Sequence, residues 1–74
     1  MKIIFTHHAK YRLMERSIYV NDIKQTIKYP DQCQIGSNGK ILARKNINGK
    51  ILEAVYKIRG NSYIVITIYY ENNL

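Results

Sequence analysis

Apolar and polar positions change rhythm once along this chain, at Pro30. Before it the spacing is helical. Val20, Ile23 and Ile27 stand at i, i+3 and i+7, which predicts one buried face on a helix from Val20 to Lys28. Asp22 falls in its first turn, where a negative charge suits the helix dipole. Tyr29-Pro30 ends it, because proline biases the preceding residue away from helical geometry. Upstream, the stretch from His7 to Arg16 holds no Gly, Pro or β-branched residue and reads as another helix. Thr6 is its expected N-cap, with a hydroxyl that can accept from a free amide one turn in. Ser17-Ile18-Tyr19 is short enough to join the two as an αα-hairpin. Ile3-Ile4-Phe5 reads as a short extra strand ahead of them.

After Pro30 the period is two. Asn38-Gly39, Asn48-Gly49 and Gly60-Asn61 can each supply the positive φ angles that tight hairpins demand. Between Ile51 and Arg59, the residues Leu52, Ala54, Tyr56 and Ile58 share one face, opposite Ile51, Glu53, Val55, Lys57 and Arg59. Between Tyr63 and Tyr70, the residues Ile64, Ile66, Ile68 and Tyr70 share one face, opposite Tyr63, Val65, Thr67 and Tyr69. The expected architecture is α+β, one domain over residues 1–74. Two N-terminal helices cover the apolar face of a four-stranded antiparallel meander.

Composition sharpens this picture. At 74 residues the chain is near the lower limit for an unaided core, and an apolar fraction of 46% argues against disorder. Twelve Lys+Arg against five Asp+Glu give a formal charge of +7. So basic a domain is drawn to anions, nucleic acids foremost, through phosphate contacts that need no sequence code. Seven Tyr add flat surfaces on which unpaired bases can stack. The bland alternative is that Tyr fills strands and Lys confers solubility. Cys33 stands alone, which leaves no intramolecular disulfide and no cysteine-rich metal site. The apolar opening breaks at Thr6-His7-His8, too soon for a signal sequence or a membrane span. A cytoplasmic protein with no membrane partner is expected.

Three constellations can carry chemistry. On the first helix, His8, Arg12, Glu15 and Arg16 form one stripe, because residues three and four apart are neighbours. It can face a groove at the sheet edge. Alternatively, Arg12 lies along the domain boundary with its stem packed and its head paired to Glu15, Glu53 or Glu71. Adjacent His7 and His8 point about 100° apart and cannot form a facing acid/base pair. His8 shares the arginine stripe, so it is the candidate proton carrier in RNA cleavage; a first-turn histidine that merely packs or frays is the alternative. On the sheet, Arg44, Lys45, Lys57 and Arg59 occupy neighbouring strands, with Tyr63, Thr67 and Tyr69 expected on the face away from the isoleucines. That face is either a nucleic-acid platform or plain solvated sheet. Cleaving an RNA backbone needs a base for the 2′-hydroxyl, cations near the developing phosphorane and a donor for the leaving oxygen. No Asp, Glu or Cys stands at ligand spacing to the two His, so neither a metal nor another cofactor is expected.

These residues resemble a known family. Thr6-His7-His8-Ala9, Arg12, Glu15-Arg16-Ser17-Ile18, an Asp-Ile in a second helix ending at Pro30, Lys50 to Tyr56 and Ile64 to Tyr69 together are similar to the DUF4258 family of small bacterial and phage proteins. The resemblance spans nearly the whole chain. It implies kinship with the RelE-like toxins of toxin–antitoxin systems: a RelE-like fold, cleavage of RNA without metal and an acidic antitoxin as partner. By position, His8, Arg12 and Arg16 match its helix motif, and Thr67 and Tyr69 its final strand. Two residues depart from the pattern: Ser17 replaces a usual Gly, and Tyr19 a usual capping Ser or Thr. No C-terminal helix, as many RelE-like toxins have, is expected after Glu71. The leading expectation is an endoribonuclease with His8, Arg12, Arg16 and Tyr69 at the reacting phosphate and Arg44, Lys45, Lys57, Arg59, Tyr63 and Thr67 holding RNA. The alternative is a non-catalytic module that binds nucleic acid or a partner, or a small homodimer paired through a sheet edge.

Overall fold

Thr6 ties the first strand, the first helix and the last strand together. The computed structural model describes residues 1–71. In it the Thr6 hydroxyl accepts from the Ala9 amide at 3.1 Å and donates to the Ile66 carbonyl at 3.1 Å, while its own amide donates to Val65 at 3.0 Å. The described residues form β1 (Lys2–Phe5), α1 (His7–Glu15), α2 (Val20–Lys28), β2 (Gln32–Ile35), β3 (Ile41–Ile47), β4 (Lys50–Arg59) and β5 (Ser62–Tyr70). The chain is therefore α+β, with two helices and five strands.

Helix α1 ends as helices with a left-handed cap do. The Ile18 amide donates to Leu13 at 2.9 Å and the Ser17 amide to Met14 at 3.4 Å, closing a Schellman motif. This puts Ser17 at φ 53°, a conformation that costs a residue with a Cβ about 1 kcal/mol. Ser17→Gly is expected to raise the melting temperature by about 4–8 °C, read by a thermal melt; an unchanged or lower melt would show that the hydroxyl offsets the strain. Tyr19, with extended backbone, stands at the N-cap of α2. In α2 the buried Thr26 hydroxyl donates back to the Asp22 carbonyl at 2.8 Å, so its burial leaves no polar group unmet.

The sheet order is β1-β5-β4-β3-β2. Each neighbouring pair from β2 to β5 is antiparallel, and β1 runs parallel to β5. The sheet is thus mixed and five-stranded: the extra N-terminal strand expected at Ile3-Ile4-Phe5 joins it in parallel with β5 and covers the edge of that strand over Ser62–Val65. Two of the turn signals make two-residue hairpins. Asn48 and Gly49 both have positive φ, as a type I′ turn requires, and Gly60 at φ 59° suits the first place of a type II′ turn. Asn38-Gly39 does not. The β2–β3 ladder ends at Ile35↔Ile41, leaving a five-residue connection with a 3₁₀ turn over Ser37–Gly39, closed by the Gly36 amide on the Lys40 carbonyl at 2.8 Å.

One irregularity reorders the faces. Val55 pairs with Thr67 and Tyr56 with Val65, so Ile66 is an extra residue, a β-bulge in β5. Beyond it the alternation flips. Tyr63, Val65, Ile68 and Tyr70 share the face of Leu52, Ala54 and Tyr56, towards the helices, whereas Ile64, Thr67 and Tyr69 look the other way. The expected grouping of Ile64 with Ile68, and of Tyr63 with Tyr69, is therefore broken in mid-strand. On the helix side Ala9, Ile18, Ile23 and Ile27 close over Ala43, Leu52, Ala54, Tyr56, Val65 and Ile68 in one core. Helix α1 packs on β5 and β1, and α2 on β3 and β4, each leaning on the sheet more than on the other. The αα-hairpin is thus a pair in sequence laid side by side. Among the described residues no helix is long and apolar enough to cross a membrane.

Candidate nucleic-acid interface

Because Thr6 grips the bulge, α1 starts beside Ile66 and runs along the C-terminal half of β5. Its arginine stripe then meets the residues that follow the bulge. Arg12, Arg16, Thr67, Tyr69, Tyr70 and Glu71 line a groove of about 460 Å³. Arg12 donates to Glu15 at 3.3 Å, and Arg16 lies 3.8 Å from the same carboxylate oxygen. All three side chains are at least a third exposed, so these pairs hold the guanidiniums loosely and contribute little stability. The arrangement joins both readings of Arg12: its head is paired to Glu15, and it still borders a groove.

Behind the groove lies a buried charge. Glu53 is 3% exposed although it belongs to the sheet face away from the helices. Its carboxylate accepts from Arg44 Nε at 2.9 Å, and Glu71 stands 3.9 Å from the same nitrogen. Glu53 drives the Arg44 guanidinium above its ordinary pKa, first by hydrogen bonding and then by charge. Tyr69 faces Glu53 across the β4–β5 ladder. Burial, followed by the neighbouring carboxylate, pushes its phenol up to about 12. Tyr69 is therefore a neutral donor at neutral pH and cannot serve as a base. In a strand without the bulge, the β4–β5 turn would place Ile68 opposite Glu53; the extra residue slides Tyr69 into that position.

A second groove of about 440 Å³ opens on the other side of Glu71, lined by Asp31, Gln32, Arg44, Lys45, Asn46, Ile51 and Glu71. Lys45 borders it but is not part of the cluster expected with Arg44. It pairs with Leu52, on the helix side, and its ammonium is held by the Tyr29 carbonyl at 2.8 Å and by Asp31 at 3.8 Å. Lys57 and Arg59 share Arg44's face but pair with Ile64 and Ser62. At the strand rise Lys57 lies about 13 Å along β4 from Glu53, so both stand apart from the grooves. Tyr63 is on the other face altogether, with its ring 5.7 Å from that of Tyr56. A cleft of about 540 Å³ at that end holds Tyr63 alone of the candidates, so its size does not make it the site. His8 is exposed in the first turn of α1, one turn ahead of Arg12 and outside the groove. Among the described residues no three His, Cys, Asp or Glu side chains come together as a metal ion would need.

Glu53 and Glu71 carry more of this site than the pattern assigned them. For Glu53 the signal was present, since a two-residue turn at Asn48-Gly49 fixes the register that sets Arg44 opposite it. For Glu71 no local signal exists. Residues 5–70 match the family model described as a domain of unknown function, DUF4258. No curated protein and no solved structure gives a significant match.

Proposed function

The chain belongs to the DUF4258 family, and we propose that it is a RelE-like, metal-independent endoribonuclease that holds RNA in the groove between α1 and β5. The observation that carries this reading is the meeting of Arg12 and Arg16 with Thr67 and a neutral Tyr69 in one groove. The guanidiniums bind the scissile phosphate and offset charge on the phosphorane, and the phenol donates to it or stacks on a base. The 2′-oxygen attacks phosphorus and its proton leaves to a base, while the 5′-oxygen departs and takes up a proton, giving a cyclic phosphate and a 5′-hydroxyl. His8, one turn from Arg12 and open to solvent, is the proton carrier. Arg44, Lys45, Lys57 and Arg59 add to the positive field that draws RNA towards this groove without lining it, and an acidic antitoxin is the partner this surface suits.

A second reading is favoured by the position of His8 outside the groove: a module that binds RNA without cutting it. Labelled RNA incubated with purified protein in EDTA separates the two. Cleavage is expected, together with binding that weakens with salt by about 0.7 in log–log slope per phosphate contact, or about −3 for four contacts. Binding with that slope and no cleavage would leave the second reading. Salt-independent binding, or cleavage that EDTA stops, would remove the first.

A further inference from the structure

Tyr19 is set where the fold does not need a tyrosine. It stands at the N-cap of α2, its side chain makes no capping bond, and it is 75% exposed. Ser, Thr, Asp or Asn at that place would satisfy an amide that a tyrosine leaves to water. Its backbone is nevertheless held on both sides. Ile18, 3% exposed, anchors the turn before it through the amide bond to Leu13, and the Tyr19 carbonyl accepts from the Asp22 and Ile23 amides at 3.0 and 3.2 Å. A tyrosine on so fixed a backbone has only its few side-chain torsions left to order, so little entropy opposes its use as a contact.

The surroundings of the ring say what it contacts. Arg16, three residues earlier, and Tyr70, the last residue of β5, both line the Arg12–Arg16 groove. Burial, then the neighbouring Asp22 and Tyr19, push the Tyr70 phenol up, so Tyr19 and Asp22 stand beside Tyr70 at the mouth of that groove. The guanidiniums suit phosphate, whereas the Asp22 carboxylate repels it. A phenol ring beside a carboxylate suits a neutral, flat group instead, and every nucleobase presents one. We infer that Tyr19 is a base-stacking residue: its ring takes the base that projects past Arg16 from the strand held in the groove, whatever that base is. This rests on the RNA-binding reading above and adds the residue that grips the nucleobase. The unbonded N-cap gives up helix stability at the place where the ring gains a ligand, as sites that trade stability for function do.

The test reads affinity and stability side by side, because the inference moves them in opposite directions. Anisotropy measures binding of the full chain to a labelled 2′-O-methyl RNA strand, which it cannot cut, and to an abasic strand of the same backbone and length, at several salt concentrations. Tyr19→Ser is expected to bind the RNA strand about tenfold more weakly, within the range for one base–aromatic stack. Its salt slope should not change, since no phosphate contact is lost. The abasic strand should bind wild type and Tyr19→Ser alike. The same variant should melt about 4–8 °C higher, through the new cap. Tyr19→Phe, which keeps the ring, should bind RNA as wild type does, and Tyr19→Leu, which keeps apolar bulk without a ring, should lose affinity as Tyr19→Ser does. Unchanged RNA affinity in Tyr19→Ser or Tyr19→Leu, or an equal loss on the abasic strand, overturns the inference and leaves the phosphate-binding groove standing. A Tyr19→Ser melt below that of wild type would give the ring a structural role and also overturn it. A wild type that binds neither strand overturns both readings.

Discussion

His8→Ala is expected to slow RNA cleavage at least about 100-fold, the lower range for losing a general acid or base. Replacing Arg12 and Arg16 together with Ala should in addition weaken binding and flatten its salt dependence by about 1.4 in log–log slope, one phosphate contact for each guanidinium. The folded state makes this a clean experiment. His8 is exposed, and Arg12 and Arg16 meet Glu15 with side chains that are all at least a third open to solvent. None of the three should move the melting temperature appreciably. Lost activity with an unchanged melt assigns the stripe a functional role. A His8→Ala protein as active as wild type would remove histidine from the mechanism and leave the proton transfers to groups inside the groove.

Ile23→Ala is expected to unfold much of the population. Ile23 is fully buried in α2, within the core that closes over β3 and β4. Truncating such a side chain costs about 2–5 kcal/mol, through lost transfer energy and the cavity left behind. A domain of this size rarely has more than about 3–5 kcal/mol in total. Urea unfolding followed by circular dichroism should show Ile23→Ala with little or no folded baseline. Ile23→Val, at about 0.5–1.5 kcal/mol, should retain a cooperative transition at a lower midpoint. If Ile23→Ala costs under about 1 kcal/mol, α2 is not the lid of the core.

The helices and most turns were legible because their signals are local. Thr6 starts α1 by a bond to an amide three residues on, and α2 runs from Val20 to Lys28, the span its apolar spacing predicts. At Asn48-Gly49 and Gly60-Asn61 the turn residues also fix the strand register, which made the Arg44–Glu53 pairing readable in principle. Alternation alone misplaces the faces of the stretch from Ile64 to Tyr70 for a physical reason. All of its residues suit a strand on either face, and no glycine marks the bulge, so its sequence is equally consistent with unbroken alternation.

Sequence alone therefore determined the α+β class, the bounds of α2, the cationic character and the stripe His8–Arg12–Arg16, all of which depend on neighbours within a turn or on net charge. Tertiary structure decided what that stripe faces. The parallel pairing of β1 with β5 joins segments some sixty residues apart, and the Thr6 hydroxyl on Ile66 spans the same separation. Those long-range contacts settle where α1 lies, just as the bulge settles which tyrosine meets Glu53 and which is turned towards the core. A one-residue slip in a strand reverses every side chain beyond it, and no pattern of period two records where the slip occurs.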